Sequence, residues 1–377
     1  MAGSVGRQSK EDRADLKKTL LSILKDVQLA NQDWLKMRDV LKQTMDAMHV
    51  NEQTLSKQVV REHINFLKYL YEDNFTLLAS CEFNLKNHSP KPAKTTGLFR
   101  KKYDGGFLNL EKEGIPFWKS PGNPRNSPLI VTKLRELATV HRVVPMDAVS
   151  VILYDRKGKP EKEVVFIGLF TSVTYSRSIQ DVPYLRQKTD AIVTQSGFVP
   201  GGHDYKALGH ILEKFPRDEL FQIDEDTLAK TAMEIMRIQQ QPRIALFTRN
   251  NPFNNLFSCL VYFPREQFDT RLRLKVQYIL EKELDGRVQD FFTTMDDSML
   301  ARVLFIFATS GKIGEDKDLD AIETKIRTEC RPWSDRFSEA SDEMFEDQDY
   351  CAHIIRNYQD AFPVEYQERV HPKHSLW

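Results

Sequence analysis

The sequence is poor in cysteine and has no long apolar run. Its four cysteines stand at 81, 259, 330 and 351. No two form a C-x-x-C pair, which excludes a zinc ribbon or a thioredoxin-like site. Scattered cysteine suits a reducing compartment, where a buried thiol acts as a small hydrophobe. No stretch approaches the roughly 18 consecutive apolar residues of a membrane span. The opening MAGSVGRQSKEDRADLKK is polar throughout, unlike a secretory leader. Lys plus Arg number 54, as do Asp plus Glu, so there is no basic excess of the kind nucleic-acid binders carry. These absences predict a cytoplasmic protein with neither nucleic acid nor membrane as partner.

Site motifs are scarce as well. G-x-G-x-x-G, G-x-x-x-x-G-K-[ST], H-E-x-x-H and G-x-S-x-G are all missing, which leaves no Rossmann turn, P-loop, zinc-protease helix or nucleophile elbow. The pairs Gly105-Gly106 and Gly201-Gly202 lack the strand before and helix after that a nucleotide turn requires. His203 and His210 fall two helical turns apart, about 10 Å, too far to share one metal. No catalytic, cofactor-binding or metal-ligating residue is predicted.

What is present is ample core material. The 377 residues are 41% hydrophobic and include 23 Phe, 12 Tyr and 4 Trp, enough for two or three domains of α+β class. Residues 1–9 read as a tail, and 1–71 as a helical segment. In it Leu16, Leu20, Ile23, Leu24 and Val27 recur at helical spacing, as does a second stripe from Trp34 to Met45. Such a stripe predicts a packing face. A further helix is expected over Leu55–Tyr71. Residues 72–176 read as a mostly antiparallel sheet, with strands at Asn74–Leu85, Gly97–Arg100, Leu129–Thr132, Val149–Asp155 and Glu163–Phe170. A loop is expected at Lys86–Thr96, another in the Gly/Pro-rich 104–128, and a hairpin turn at Arg156-Lys157-Gly158-Lys159. Residues 177–242 turn helical: Val182–Gln195, Asp204–Lys214, a restart at Pro216, and Glu225–Gln240 capped by Asp224. The stretch 243–330 reads ββαββα, a circularly permuted ferredoxin-like layout shared by small regulatory domains of the ACT type. Residues 331–377 form a charged, partly helical tail whose Trp333 and Phe337 can pack back on the domain.

Two polar clusters are candidate ligand or inter-module contacts. His203, Asp204, Lys206, Arg217, Asp218 and Glu219 could line an anion or amino-acid pocket near two helix N-termini. Chemistry alone favours helix capping and an inter-helix salt-bridge network. Arg135, His141 and Arg142 could hold an anion or pair with Glu136 and Asp147; pairing is the favoured reading.

The strings FIGLFTSVTYSRS, VPYLRQKTDAIVTQSGFVPGGHDYKALGHILEKFPRDELFQIDEDTL and SCLVYFPREQFDTRLR, with DWLKMR (33–38), FLKYLYEDNFTLL (66–78), VTKLRELATVHR (131–142), LARVLFIF (300–307) and AFPVEYQE (361–368), closely resemble the N-terminal segment of the large bacterial NAD-dependent glutamate dehydrogenases. The resemblance covers roughly residues 33–370. It implies a PAS-like module at 72–176, a helical motif at 177–242 and an ACT-like module at 243–330. It also implies a chain that stops inside a segment the family continues, as a fragment or truncated product would. In that family the catalytic domain follows hundreds of residues later and uses NAD to convert glutamate to 2-oxoglutarate. Its catalytic lysine, aspartate and dinucleotide loop have no counterpart here, so the chain is expected to bind no cofactor and to be inactive alone. The implied role is a regulatory or assembly segment. Other subunits, or the catalytic domain of the same enzyme, would be its partners and an amino acid a possible effector. The alternative is a stand-alone sensing or structural module without enzyme activity. Where family members carry a Ser-Arg pair before T-V-H-R, this chain has Leu137-Ala138, which puts any ligand contact of that loop in doubt.

Overall fold

The computed structural model describes residues 10–86, 91–100, 110, 113–119, 127–308 and 317–376. The expected tail at 1–9, and Gly105, Gly106, Pro121, Gly122 and Pro124 of the expected loop, lie outside the described residues. Two compact units form. One takes residues up to Arg237 together with Arg249–Phe257; the other takes Ile238–Thr248 with Ser258 onward.

In the first unit, helices α1 (Lys10–Gln32), α2 (Trp34–Ala47) and α3 (Lys57–Tyr69) precede five strands: β1 (Phe75–Asn84), β2 (Pro92–Gly97), β3 (Leu129–Leu137), β4 (Pro145–Tyr154) and β5 (Pro160–Phe170). The strands form one antiparallel sheet in the order β2-β1-β5-β4-β3. At the place where the resemblance implies a PAS-like module, the structure has this five-stranded antiparallel sheet. Strands β4 and β5 are buried along almost their whole length, which accounts for near-continuous apolar runs rather than alternation. On one face Leu78, Phe83, Leu134, Ala148, Val165 and Ile167 share a core with Ala30 of α1. On the other, Phe170 stacks on Phe221 with centroids 4.4 Å apart, and Phe66 of α3 packs against both. The helical run follows: α4 (Ser172–Ser176), α5 (Leu185–Gln195), α6 (His203–Lys214), α7 (Arg217–Gln222) and α8 (Glu225–Gln240).

Four expectations need correction. The strand expected at Gly97–Arg100 is instead β2, and Leu98–Arg100 is a single 3₁₀ turn. Strand β2 is a largely exposed polar edge, so its sequence carries no alternation to read; much of the loop expected at Lys86–Thr96 is this strand. Gly97 ends it at φ +61°, where a Cβ would collide with the Leu78 carbonyl oxygen. The helix expected from Val182 begins at Leu185, because Pro183 holds Val182 extended (φ −105°, ψ 105°). Strands β3 and β4 extend to Leu137 and back to Pro145. The α1 stripe is not a packing face over its first half: Leu16, Leu20 and Leu24 are 49%, 51% and 63% exposed, and burial starts only at Asp26.

The hairpin turn is as read. Asp155 N–H donates to the Lys159 carbonyl at 2.8 Å, Asp155 Oδ1 accepts from Lys157 and Lys159 N–H, and Gly158 sits at φ +72°.

The sheet also buries an acid. Glu163 is wholly buried and accepts from Phe117 N–H at 2.8 Å, Trp118 N–H at 3.1 Å and the Ser150 hydroxyl at 2.7 Å. Burial outweighs these donors and pushes its pKa up to about 6 from 4.5. The unfolded chain releases this proton first, so Glu163's contribution to stability is full below pH 4.5 and is lost as pH rises through 6. The loss is about 2 kcal/mol. Glu163→Gln should remove that slope from the difference in denaturant midpoints between pH 4.5 and 6.5. Parallel curves for variant and parent would contradict it.

The second unit contains β6 (Ala245–Asn250) and β7 (Leu256–Pro264), both of which begin or end in the first, then α9 (Thr270–Leu284), β8 (Arg287–Met295), β9 (Leu300–Ala308), α10 (Leu319–Glu329), α11 (Trp333–Met344), α12 (Gln348–Tyr358) and α13 (Val364–Arg369). The sheet order is β6-β7-β9-β8, a ferredoxin-like sheet opened at a different connection. Strands β7 and β9 are the buried centre, and β8 is a largely exposed edge. Asp269 and Asp318 cap α9 and α10 by accepting from Leu272 and Ala321 N–H. Trp333 and Phe337 pack within the tail itself, in an aromatic cluster with Phe362 and Tyr366.

Candidate functional site

The candidate residues separate into two environments. His203, Asp204 and Lys206 stand exposed on the first turn of α6, with His203 Nδ1 3.1 Å from Asp204 Oδ1. Arg217, Asp218 and Glu219 are drawn inward. Arg217 donates to the Arg177 carbonyl at 2.8 Å and to Glu213 at 3.3 Å. Glu219 holds Arg249 through two bonds, at 2.7 and 3.0 Å. Asp218 accepts from the Tyr175 hydroxyl at 2.8 Å and lies 3.2 Å from Lys133 Nζ. Of the second cluster, His141 is exposed at φ +68°, and Arg142 Nη2 donates to the Phe170 carbonyl at 2.7 Å.

Asp147 pairs with Lys133, at 2.8 Å, and not with the Arg135–Arg142 cluster expected for it. Lys133 and Asp147 are direct cross-strand partners in β3 and β4, which the shorter β3 expected from sequence hid. One ammonium thus stands between two carboxylates, tying α7 to the sheet. Burial opposes the Lys133 charge, but Asp147 and Asp218 outweigh it and hold its pKa above the ordinary value. Burial raises Asp147, and Asp218 adds to this, against the pull of Lys133. The same junction is pinned by Gln222, whose Oε1 accepts from Lys133 N–H at 3.1 Å, and by Asn251, which donates to the Thr132 hydroxyl at 2.8 Å.

Beside this network a cavity of about 640 Å³ opens between α3, the start of β3, α5 and the α7–α8 turn. Lys188 is buried in its wall and donates to the carbonyls of Leu220 (2.9 Å), Phe221 (3.4 Å) and Ile223 (2.8 Å), closing the end of α7. Burial lowers its pKa to about 7. Tyr184 enters the wall at φ +72°, a strained position for a non-glycine residue, with its ring 5.5 Å from Phe66. Arg186, two residues on, clamps Glu62 with bonds of 3.0 and 2.6 Å. The sequence reading missed Lys133, Lys188, His63 and Tyr184; only Pro183 before Tyr184 signalled an irregular backbone. Among the described residues no three His, Cys, Asp or Glu side chains converge as metal ligands, and no helix is long and apolar enough to cross a membrane.

Fold and site define an α+β, multi-module segment in which a sheet, a helical run and a ferredoxin-like unit follow one another without a nucleotide turn among the described elements. Residues 182–241 match glutamate dehydrogenase, helical motif 1, and residues 245–334 match the glutamate dehydrogenase ACT2 domain. An NAD-specific glutamate dehydrogenase of Halomonas elongata is 34% identical over 368 residues, 94% of this chain and 22% of the relative. That of Pseudomonas aeruginosa is 30% identical over 370 residues, 96% of this chain and 22% of the relative. That of Mycobacterium tuberculosis is 25% identical over 183 residues, 45% of this chain and 11% of the relative. The chain belongs to the NAD-dependent glutamate dehydrogenase family and corresponds to an N-terminal segment of it. It spans 22% of the length of the first two relatives.

Proposed function

We propose that this chain is a non-catalytic regulatory and assembly segment of an NAD-dependent glutamate dehydrogenase. The observation that carries the reading is the contiguous match to helical motif 1 and the ACT2 domain, in that order, in a chain without dinucleotide or catalytic motifs. The Gly-Gly pair among the described residues does not fit NAD. Gly201-Gly202 leads from α5 into α6 rather than from a strand, so no pyrophosphate cradle of the Rossmann kind forms there. In this reading the cofactor and glutamate are handled by another part of the long subunit. The modules bounded at 72–176, 177–242 and 243–330 transmit a signal to it, with an amino acid as candidate effector.

Assembly has support in the α1 surface. Leu16, Leu20, Leu21 and Leu24 form an exposed apolar stripe, more continuous than the scattered apolar residues normal on a surface. In the assembly role this stripe meets another subunit or the remainder of the same one. Leu20→Glu combined with Leu24→Glu should leave the melting temperature nearly unchanged and reduce the oligomer size seen by light scattering. An unchanged oligomer would remove α1 from the assembly role. A monomer in both parent and variant would leave the catalytic part of the subunit as its partner.

A further inference from the structure

The cavity of the first unit joins aromatic walls to an acidic rim, and the cations that line it are already engaged. Rings of Tyr184, Phe221 and Phe253 line it. Asp224 and Glu225 stand exposed at its edge, at the start of α8. Inside, Lys188 Nζ is turned onto three carbonyls, and Arg249 is held by Glu219. An entering anion would therefore meet two carboxylates and no available N–H from either cation. An entering cation would meet both carboxylates and the faces of the rings, an arrangement that stabilises ammonium groups once water is displaced. The Tyr184 ring already accepts one cation, with Lys188 Nζ 4.9 Å from its centroid.

Two further observations point to an occupant rather than to a packing defect. His63 lines the cavity, is 6% exposed, and its Nδ1 has no hydrogen-bond partner. A buried polar atom left unmatched has lost its water without gaining a partner, which is unfavourable. Burial lowers its pKa to about 4, so the ring is neutral near pH 7 and adds no positive charge. The strained backbone of Tyr184 lies in the same wall, and such strain concentrates at ligand clamps.

We propose that this cavity binds a small organic cation, an amine with an apolar or aromatic body, its charged head at Asp224 and Glu225 and its body against Tyr184 and Phe221. The proposal goes beyond the regulatory reading and does not depend on it. A ligand that binds here without affecting any dehydrogenase would keep this inference and weaken the other.

The test is calorimetric titration of the full 377-residue chain with phenethylamine and, separately, with hydrocinnamate, which carries the same ring and an opposite charge. The expected result is saturable binding of the amine and none of the carboxylate. Asp224→Asn with Glu225→Gln should weaken the amine about tenfold or more, while Asn keeps the helix cap and the fold. Equal or tighter binding of hydrocinnamate would overturn the proposal. So would unchanged amine affinity in the double variant, or silence with both probes.

Discussion

Replacing Lys133 with methionine is expected to destabilise the first unit by about 3–5 kcal/mol, the usual consequence of removing one partner from a buried ion pair. For a unit of this size that lowers the melting temperature by roughly 10 °C or more. The reason is geometric. Lys133 Nζ is 2.8 Å from Asp147 and 3.2 Å from Asp218. Asp147 is also tied to the sheet by the Phe170 N–H at 3.2 Å, and Asp218 to the Tyr175 hydroxyl. Without the ammonium, two largely buried carboxylates face each other, and Asp147, already raised by burial, loses the charge that opposed that rise. The sign of the pH effect follows: the deficit of Lys133→Met should shrink as pH falls toward 4. Adding Asp218→Asn should recover part of the loss, because one carboxylate then remains where two repelled. Denaturant unfolding of the four proteins of this cycle measures the coupling. A deficit below about 1 kcal/mol, typical of surface pairs, would show that the network does not hold α7 to the sheet.

Leu260→Asp should have a still larger effect, on the second unit. Leu260 is 4% exposed on β7, which lies between β6 and β9. A carboxylate there has no partner in a strand whose residues from Leu256 to Phe263 are all buried, and an isolated buried charge costs several kcal/mol or more. That is a large share of a domain's whole stability. Hydrogen exchange of the amides of β7 and β9 should lose its protection in the variant. Retained protection with a melting temperature within a few degrees of the parent would contradict the burial of this strand.

The second unit was the more legible half. Its caps lie beside the helices they serve, as with Asp269 and α9, and its central strands β7 and β9 are short apolar runs between turn residues. Local sequence therefore carried both the elements and their ββαββα order. The first unit's sheet was legible in its centre, where β4 and β5 carry long apolar runs, and illegible at β2, a polar edge defined only by its pairing with β1. The candidate site was hardest. Lys133, Asp147, Tyr175 and Asp218 converge from elements up to 85 positions apart, and cross-strand register, not local pattern, brings the first two together. Arg142 ends on a main-chain carbonyl, a partner that no side-chain pattern announces. The α1 leucines misled for the opposite reason. Their helical spacing was read correctly, but spacing says which residues share a face and not what covers it.

The proposed role is to serve glutamate oxidation without performing it. The most direct measurement is NADH formation from glutamate and NAD by the purified chain, followed at 340 nm at saturating substrate. The account predicts a rate indistinguishable from buffer. Turnover that scales with the concentration of the chain would contradict it and would place a nucleotide site on this chain.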